Sequence, residues 1–351
     1  MPVIRKNLIT NDWVIFSPGR SKRPTDFHKT EKDNLDALKE RPAYRDNCPF
    51  CRGNENPEDK EIFRTPSGKK WQVRVVENKF ASPDRRVRPG KRHIHLHKEM
   101  DGFGIHDVLV DNPRHNTNHA LMATIELEAL MRAYLRRYTE IQSNDDVKHI
   151  VIFKNQGFAA GGSLEHPHSQ IYGLPVMPFE TQTRVNEVKK YHEFNDTCLM
   201  CDIMKEERED KIRIVAENDC FTALSPYAAL SPYHIWIVPK EHAPSFSMIT
   251  TNQLPWLADM MKIVFYKFFF GLRNPDFNYV IQSLARSRRE AEFFHWYVSI
   301  IPQVKRKGGI EYAGGMFVNP KMPEEAAEEL RNVPDGQQFE YCALEDDMNG
   351  G

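Results

Sequence analysis

An excess of charge of either sign is missing from this chain. Lys and Arg number 48 against 49 Asp and Glu, so the formal net charge over 351 residues is −1. No global field draws the protein to nucleic acid or to a membrane surface, and its basic residues must act locally. Long hydrophobic runs are missing too. The greasiest stretch, Ile263 to Leu272, is interrupted by Lys267 and is too short to span a bilayer. The opening MPVIRKNLITNDW has no apolar h-region, so the expectation is no secretory signal and a cytoplasmic location. Cysteine is scarce, six in all. Four of the six form the Cys-x-x-Cys pairs Cys48/Cys51 and Cys198/Cys201. In a chain without an export signal these read as metal or redox pairs before disulfides. Cys220 and Cys342 read as free thiols. The length allows two domains or one large one, with a sizeable core.

What the chain does carry centres on NQGFAAGGSLEHPHSQIYGLP, from Asn155 to Pro175. A loop rich in glycine (Gly157, Gly161, Gly162) ends at Ser163. Glycines let backbone approach an anion closely and turn N–H groups toward it, so the loop suits a phosphate. His166 and His168 follow with a proline between them, then Gln170. Proline fixes φ between the imidazoles, and in extended chain residues i and i+2 share a face. One imidazole can then be held by a metal while the other stays free as a nucleophile, a role an unprotonated imidazole fills near neutral pH.

Other stretches gain meaning beside this one. WVIFSPGRSKRPTDF joins a strand, Trp13 to Phe16, to a basic turn with Arg20, Lys22 and Arg23, which reads either as a solvated loop or as three cations that could reach an anionic ligand. CPFC grips one metal through two thiolates and needs two more ligands, for which distant histidines are the candidates. His115, at the turn after a strand over 107–111, is a candidate for the third. VRVVENKF reads as a strand turning at Asn78. His93, His95 and His97 lie on one strand after a basic loop and read as an exposed strand rather than a metal or nucleotide site. Ile125 to Ile141 is a helix whose Leu127, Leu130, Met131, Tyr134, Leu135, Tyr138 and Ile141 form one buried stripe.

After a polar linker near 178–195 the pattern restarts. CLMC echoes CPFC, RIVAENDCFTAL echoes VRVVENKFA, and HIWIVPKEH echoes the strand that ends at His115. A helix over about 251–270 follows, capped by Thr or Asn and stopped by Gly271. NYVIQSL then matches HIVIFKN, and FFHWYVSIIPQ matches HPHSQIYGLPV. His295 lies seven residues before Pro302, as His168 lies seven before Pro175. The duplication implies an α+β protein of two similar units, residues 1–180 and 181–351, each an antiparallel sheet with packed helices. In the second unit Trp296 and Tyr297 replace the proline and second histidine, so its Cys198, Cys201, His242 and His295 would form a structural metal site. Pro323 with two following glutamates starts a closing helix. GGIEYAGG before it reads as a loop able to cover a ligand, and Glu311, its one carboxylate, reads equally as a solvated loop charge or a contact to substrate hydroxyls.

Taken in order, SPGRSKRP, CPFC, VVENKF, HDVLVDNPRH, FKNQGFAAGGSLEHPHSQ, PKEH and the GGIEY…NP…PEEAAEELR ending resemble the galactose-1-phosphate uridylyltransferase family, a branch of the histidine-triad superfamily. The resemblance covers nearly the whole chain. It implies two tandem histidine-triad-like units, with zinc held by Cys48, Cys51, His115 and His166, and His168 as the nucleophile that forms a nucleotidyl-histidine. Gln170 would hydrogen-bond the phosphoryl oxygens and favour transfer over hydrolysis. Arg20, Arg23 and Ser163 match phosphate contacts, beside Gly161 and Gly162. Asn78 and Asn155 match nucleotide-pocket positions. Lys305 and Glu311 match hexose contacts that come from the other subunit of a homodimer. Cys198, Cys201, His242 and His295 match a second site for zinc or another divalent metal. The implied reaction is ping-pong uridylyl transfer from UDP-glucose, a UDP-sugar, to a hexose 1-phosphate, galactose 1-phosphate. Two readings stand beside it: an ADP-glucose phosphorylase, and a zinc- and nucleotide-binding protein without turnover. Neither membrane nor nucleic acid is an expected partner.

Overall fold

A computed structural model describes residues 1–19, 38, 40–285, 292–305 and 307–334. Arg20, Lys22, Arg23 and Cys342 lie outside the described residues. The chain opens with β1 (Val3–Lys6) and β2 (Trp13–Phe16), an antiparallel pair. It continues through β3 (Glu61–Thr65), β4 (Val73–Glu77), the hairpin β5 (Lys91–Ile94) and β6 (His97–Met100), and β7 (Ile105–Val110). Then come α1 (Thr124–Gln142), β8 (His149–Gln156) and β9 (His168–Leu174). Two helices follow, α2 (Phe179–Asn195) and α3 (Leu199–Asp210), before the second series: β10 (Ile214–Glu217), β11 (Phe221–Leu224), β12 (Ile235–Pro239), α4 (Leu254–Gly271), β13 (Phe277–Gln282) and β14 (Tyr297–Pro302). The short helix α5 (Gly309–Gly314), β15 (Phe317–Asn319) and α6 (Pro323–Arg331) close the described chain, with β15 parallel to β2.

Ten strands form one antiparallel sheet in the order β3-β4-β7-β9-β8-β13-β14-β12-β11-β10. Read from either edge the order is the same: first, second, third, fifth and fourth strand of a unit. The duplication is therefore a property of the topology. β8 and β13 join the units, pairing from Phe277 opposite Gln156 to Ile281 opposite Ile152.

Helices α1 and α4 cover one face together. The predicted stripe of α1 is buried at Leu127, Leu130, Met131, Tyr134, Tyr138 and Ile141, as its helical spacing requires. Glu126 closes the first turn by accepting the Ala123 N–H at 2.8 Å. The other face differs between units. In the second, α2 and α3 fill it, packing Val185, Val188 and Met204 against Trp236, Val238 and Tyr297. In the first, Phe153, Gln170 and Tyr172 stay half-exposed. Direct pairings run Gln170–Phe153–Val280–Ser299–Trp236, so these residues share one face. What is core in the second unit is open surface in the first.

Several expectations change. The polar stretch near 178–195 is not a linker but α2. Its buried Thr181, Val185 and Val188 recur at i, i+4 and i+7, a stripe too narrow to stand out among charged neighbours. GGIEYAGG forms α5 instead of a loop, because Glu311 accepts the Gly308 N–H at 2.9 Å and starts a turn. The three exposed histidines do not share a strand. His95 has φ 55° and turns the β5–β6 hairpin between His93 and His97. RIVAENDCFTAL contains two strands, β10 and β11, which take the places of β3 and β4, since Asn218 accepts from Phe221 N and folds a tight hairpin. α4 begins at Leu254, later than expected, and Gln253, not Thr or Asn, bonds back to Thr250 N at 2.9 Å.

Candidate active site

The first cluster assembles from three separate elements. Cys48 and Cys51 come from a turn, His115 from the chain after β7, and His166 from the approach to β9. Cys51 Sγ lies 3.5 Å from His115 Nδ1 and 3.6 Å from His166 Nδ1. Cys48 Sγ lies 3.6 Å from His166 Nδ1, and the two Nδ1 atoms are 3.3 Å apart. A tetrahedral ion with zinc-type bond lengths separates its ligands by about 3.3 Å for N–N and about 3.6 Å for N–S. The donor set therefore fits one tetrahedral metal ion, and all four residues are buried. His166 Nε2 donates to the Asn112 carbonyl at 2.7 Å, which points its Nδ1 at the thiolates. Burial takes this imidazole down to about 3, so it stays neutral, as a ligand must. The second cluster repeats the arrangement, with Cys201 Sγ 3.4 Å from His242 Nδ1 and 3.5 Å from His295 Nδ1, and Cys198 completing it.

His168 begins β9 and is not in the cluster. Its Nδ1 lies 2.9 Å from the His166 carbonyl oxygen. An Nδ1–H donor there leaves Nε2 with the lone pair. Burial, with the Lys154 ammonium second, keeps this imidazole below its ordinary range. Phe50 packs against its ring at 5.4 Å between centroids. In the second unit Tyr297 begins β14 as His168 begins β9, and His295 joins the metal cluster as His166 does. His295 therefore corresponds to His166, although counting back from the prolines set it against His168.

Gln170 shares the open face, and its Oε1 lies 2.7 Å from His106 Nε2. Asn78 Nδ2 is 2.9 Å from the same nitrogen, and the His106 ring stacks on Tyr172 at 3.8 Å. Asn155 Oδ1 accepts from Asn278 Nδ2 at 2.8 Å, and Gln303 donates to Asn278 Oδ1 at 2.6 Å. Ser163 is exposed and lines a cavity of about 520 Å³ with Arg41, Phe158, Glu165 and Asp276. His168 and Gln170 are not among its lining residues. Gln170 and, two residues before it on the same strand, His168 belong to the open sheet face and not to this cavity. Lys305 and Glu311 bind each other at 2.9 Å.

The glycine loop differs from an open anion cradle. Its Gly161 and Gly162 N–H groups bond to Phe158 and Gly157 carbonyls at 3.0 and 2.9 Å, and Ala159 N–H donates to Asp276 at 2.7 Å. These three donors are spent in folding a tight turn, which Gly157 at φ 85° and Gly161 at φ 82° permit.

Two family models cover most of the chain: galactose-1-phosphate uridyl transferase, N-terminal domain, over residues 1–178, and the C-terminal domain over 184–338. The chain belongs to the galactose-1-phosphate uridyl transferase family. It is a nucleotidyltransferase of that family. ADP-glucose phosphorylase of Arabidopsis thaliana is 33% identical over 337 residues, covering 95% of this chain and 93% of the relative. Galactose-1-phosphate uridylyltransferase of Thermotoga maritima is 30% identical over 344 residues, covering 95% and 99%. A crystal structure of an ADP-glucose phosphorylase from Arabidopsis thaliana with bound ADP-glucose superposes with a TM-score of 0.82 at 32% identity, covering 95% of this chain and 99% of that one. No helix among the described residues is long and apolar enough to cross a membrane.

Sequence reasoning passed over His106, Asp111, Lys154 and Ser169. A signal for Lys154 was present. Ile150 and Ile152 alternate onto the core face of β8, and a lysine takes the next position of that face.

Proposed function

We propose that the protein transfers a nucleotidyl group from a nucleoside diphosphate glucose, through a covalent bond to His168, to a phosphate-bearing acceptor. The observation that carries this is the pair of carbonyl contacts that divide two histidines between two tasks. His166 turns Nδ1 to the thiolates, and His168 turns Nε2 away from them. His168 Nε2 attacks the α-phosphorus, the bond from that phosphorus to the bridging oxygen breaks, and glucose 1-phosphate leaves. An acceptor phosphate oxygen then attacks the nucleotidyl-histidine and frees the imidazole. Gln170, beside His106 at 2.7 Å, would offer its side-chain amide to a phosphoryl oxygen. Gln170 itself cannot act as a base toward water, which disfavours hydrolysis.

ADP-glucose as donor and inorganic phosphate as acceptor are the proposed pair. Support comes from the 33% identity to the Arabidopsis phosphorylase and the 0.82 TM-score to its ADP-glucose complex. Uridylyl transfer from UDP-glucose to galactose 1-phosphate is the second reading, supported by the Thermotoga relative at 99% coverage. In either, zinc is the proposed ion in both clusters, on the chemistry of thiolate and imidazole donors. Bound at the first, it would lock His166 and so anchor the chain that presents His168. Ser163, Asn78 and Asn155 would contact the nucleotide, as would Arg20 and Arg23 from outside the described residues. Lys305 and Glu311 would serve a hexose across a homodimer. The test uses ADP-glucose and UDP-glucose labelled at the α-phosphate, in separate tubes. Acid-labile label on His168 from ADP-glucose, discharged by phosphate, is expected. No label from either sugar nucleotide refutes the covalent reading.

A further inference from the structure

Beneath His168, on the helix-covered side of the sheet, lies an ionic cluster with no part in the reaction above. Lys154 Nζ donates to Asp111 Oδ2 at 2.7 Å and to the His168 carbonyl at 2.9 Å. Ser169 Oγ donates to Asp111 Oδ1 at 2.8 Å, and Tyr134 OH donates to Ser169 Oγ at 2.5 Å. Lys154 and Asp111 are each 1% exposed, and Ser169 is fully buried. Taking such a pair out of water is costly, and hydrocarbon of similar volume often serves stability as well or better. Stability alone does not explain why the charges are there.

The duplicated fold supplies its own comparison. Ser169 lies opposite Leu109, and the pairing of Phe153 with Gln170 sets Lys154 beside Ser169. In the second unit Val298 lies opposite Ile237 on one side and Ile281 on the other. The places of Ser169 and Lys154 are therefore taken by Val298 and Ile281. Two residues past Ile237, where Asp111 stands two past Leu109, is Pro239. All three replacements are buried and apolar. Both units fold the same strands and gather the same two-cysteine, two-histidine cluster. Neither the fold nor the cluster needs the charges. The first unit alone has a histidine at the start of its last strand.

We infer that Lys154 and Asp111 are positioning residues for His168. Lys154 pins the His168 carbonyl from below, while the His166 carbonyl holds the ring from its own side. The segment Asp111–Asn112 serves both histidines, since the Asp111 carboxylate holds Lys154 and the Asn112 carbonyl holds His166. The imidazole must make and break a bond to phosphorus in every cycle, and a displacement of about 1 Å costs about 100-fold in rate. A doubly anchored backbone keeps the aim of Nε2 constant through both half-reactions. This inference rests on His168 being the nucleophile.

The test compares the full-length wild type with two variants: Lys154→Met/Asp111→Asn, and Lys154→Ile/Asp111→Leu/Ser169→Val, which copies the character of the second unit. Metal content, thermal unfolding, affinity for ADP-glucose and the single-turnover rate of His168 labelling are measured on each. The expected result is wild-type metal content and affinity, unfolding at or above the wild-type temperature, and labelling slowed about 100-fold. A merely structural network predicts the reverse pairing, with stability lost and the labelling rate of surviving protein unchanged. Wild-type labelling rates in a folded variant overturn the inference, as does loss of metal or folding in both variants. A wild type that never labels overturns the nucleophile reading and this inference with it. A wild type that labels beside an equally fast variant overturns this inference alone.

Discussion

The Nδ1 atom of His168 sits 2.9 Å from the carbonyl oxygen of His166, its neighbour two positions back. The contact is local, and the proline between the two residues fixes one of the backbone angles that shape it. With Nδ1–H as the donor it selects the tautomer whose lone pair is on Nε2, the ring nitrogen turned from that carbonyl.

Replacing His168 by Asn keeps a donor near that carbonyl and removes the nucleophile. His168→Asn is expected to lose label incorporation by several orders of magnitude. Metal content and the unfolding temperature are expected to stay at wild-type values, because His168 is outside the cluster. Elemental analysis beside the labelling assay checks both at once.

The two clusters are expected to differ in what their removal does. Cys48→Ser frees His166 from a partner and is expected to cost about 10–100-fold in activity. Cys201→Ser is expected to lose one equivalent of metal and lower the unfolding temperature, with kcat of the remaining folded enzyme unchanged. Metal stoichiometry, calorimetry and kinetics on both variants separate the two roles.

Much of this was readable from residues alone, and the reason is local. Cys-x-x-Cys, His-Pro-His and the stripe of α1 carry their meaning within a few positions. The repeat is legible as an ordered run of such motifs, although the sequence sets the hairpin β10–β11 against one strand instead of two. α2 was missed because only Thr181, Val185 and Val188 are buried on it. The Lys154–Asp111 pair was missed because its partners are 43 residues apart and meet only through the sheet. The loop's composition suggests free amides, but their acceptors, Gly157 O, Phe158 O and Asp276, are a matter of turn geometry and not composition.

Asp107 is fully buried between Arg137, which donates to it at 2.8 Å, and Arg85. Asp107→Ala leaves the buried Arg137 with the exposed Glu140 at 2.9 Å. The expected loss is about 3 kcal/mol, the lower end for breaking a buried pair. Urea denaturation measures it, and a loss below about 0.5 kcal/mol, typical of an exposed pair, counts against it.

Acid is expected to weaken the fold before it touches the carboxylates. Burial takes His149 down to about 4 and His234 to about 3, from an ordinary 6.5. Both are neutral in folded and unfolded chains above pH 6.5, where stability is full. As pH falls toward 4 the unfolded chain takes up protons that the folded chain refuses, so stability drops. At pH 5 the loss is roughly 2 kcal/mol per histidine. Urea midpoints at pH 7 and pH 5 test this, and His149→Phe is expected to remove one histidine's share of the drop.

The ladder between β8 and β13 runs through five residue pairs in the middle of the ten-stranded sheet. Bending there would tear backbone bonds from the strand that leads into the glycine loop. Through this ladder the two halves form one stiff plank. Any closing over a ligand is left to surface segments, and the second half acts as the anvil against which the first is braced.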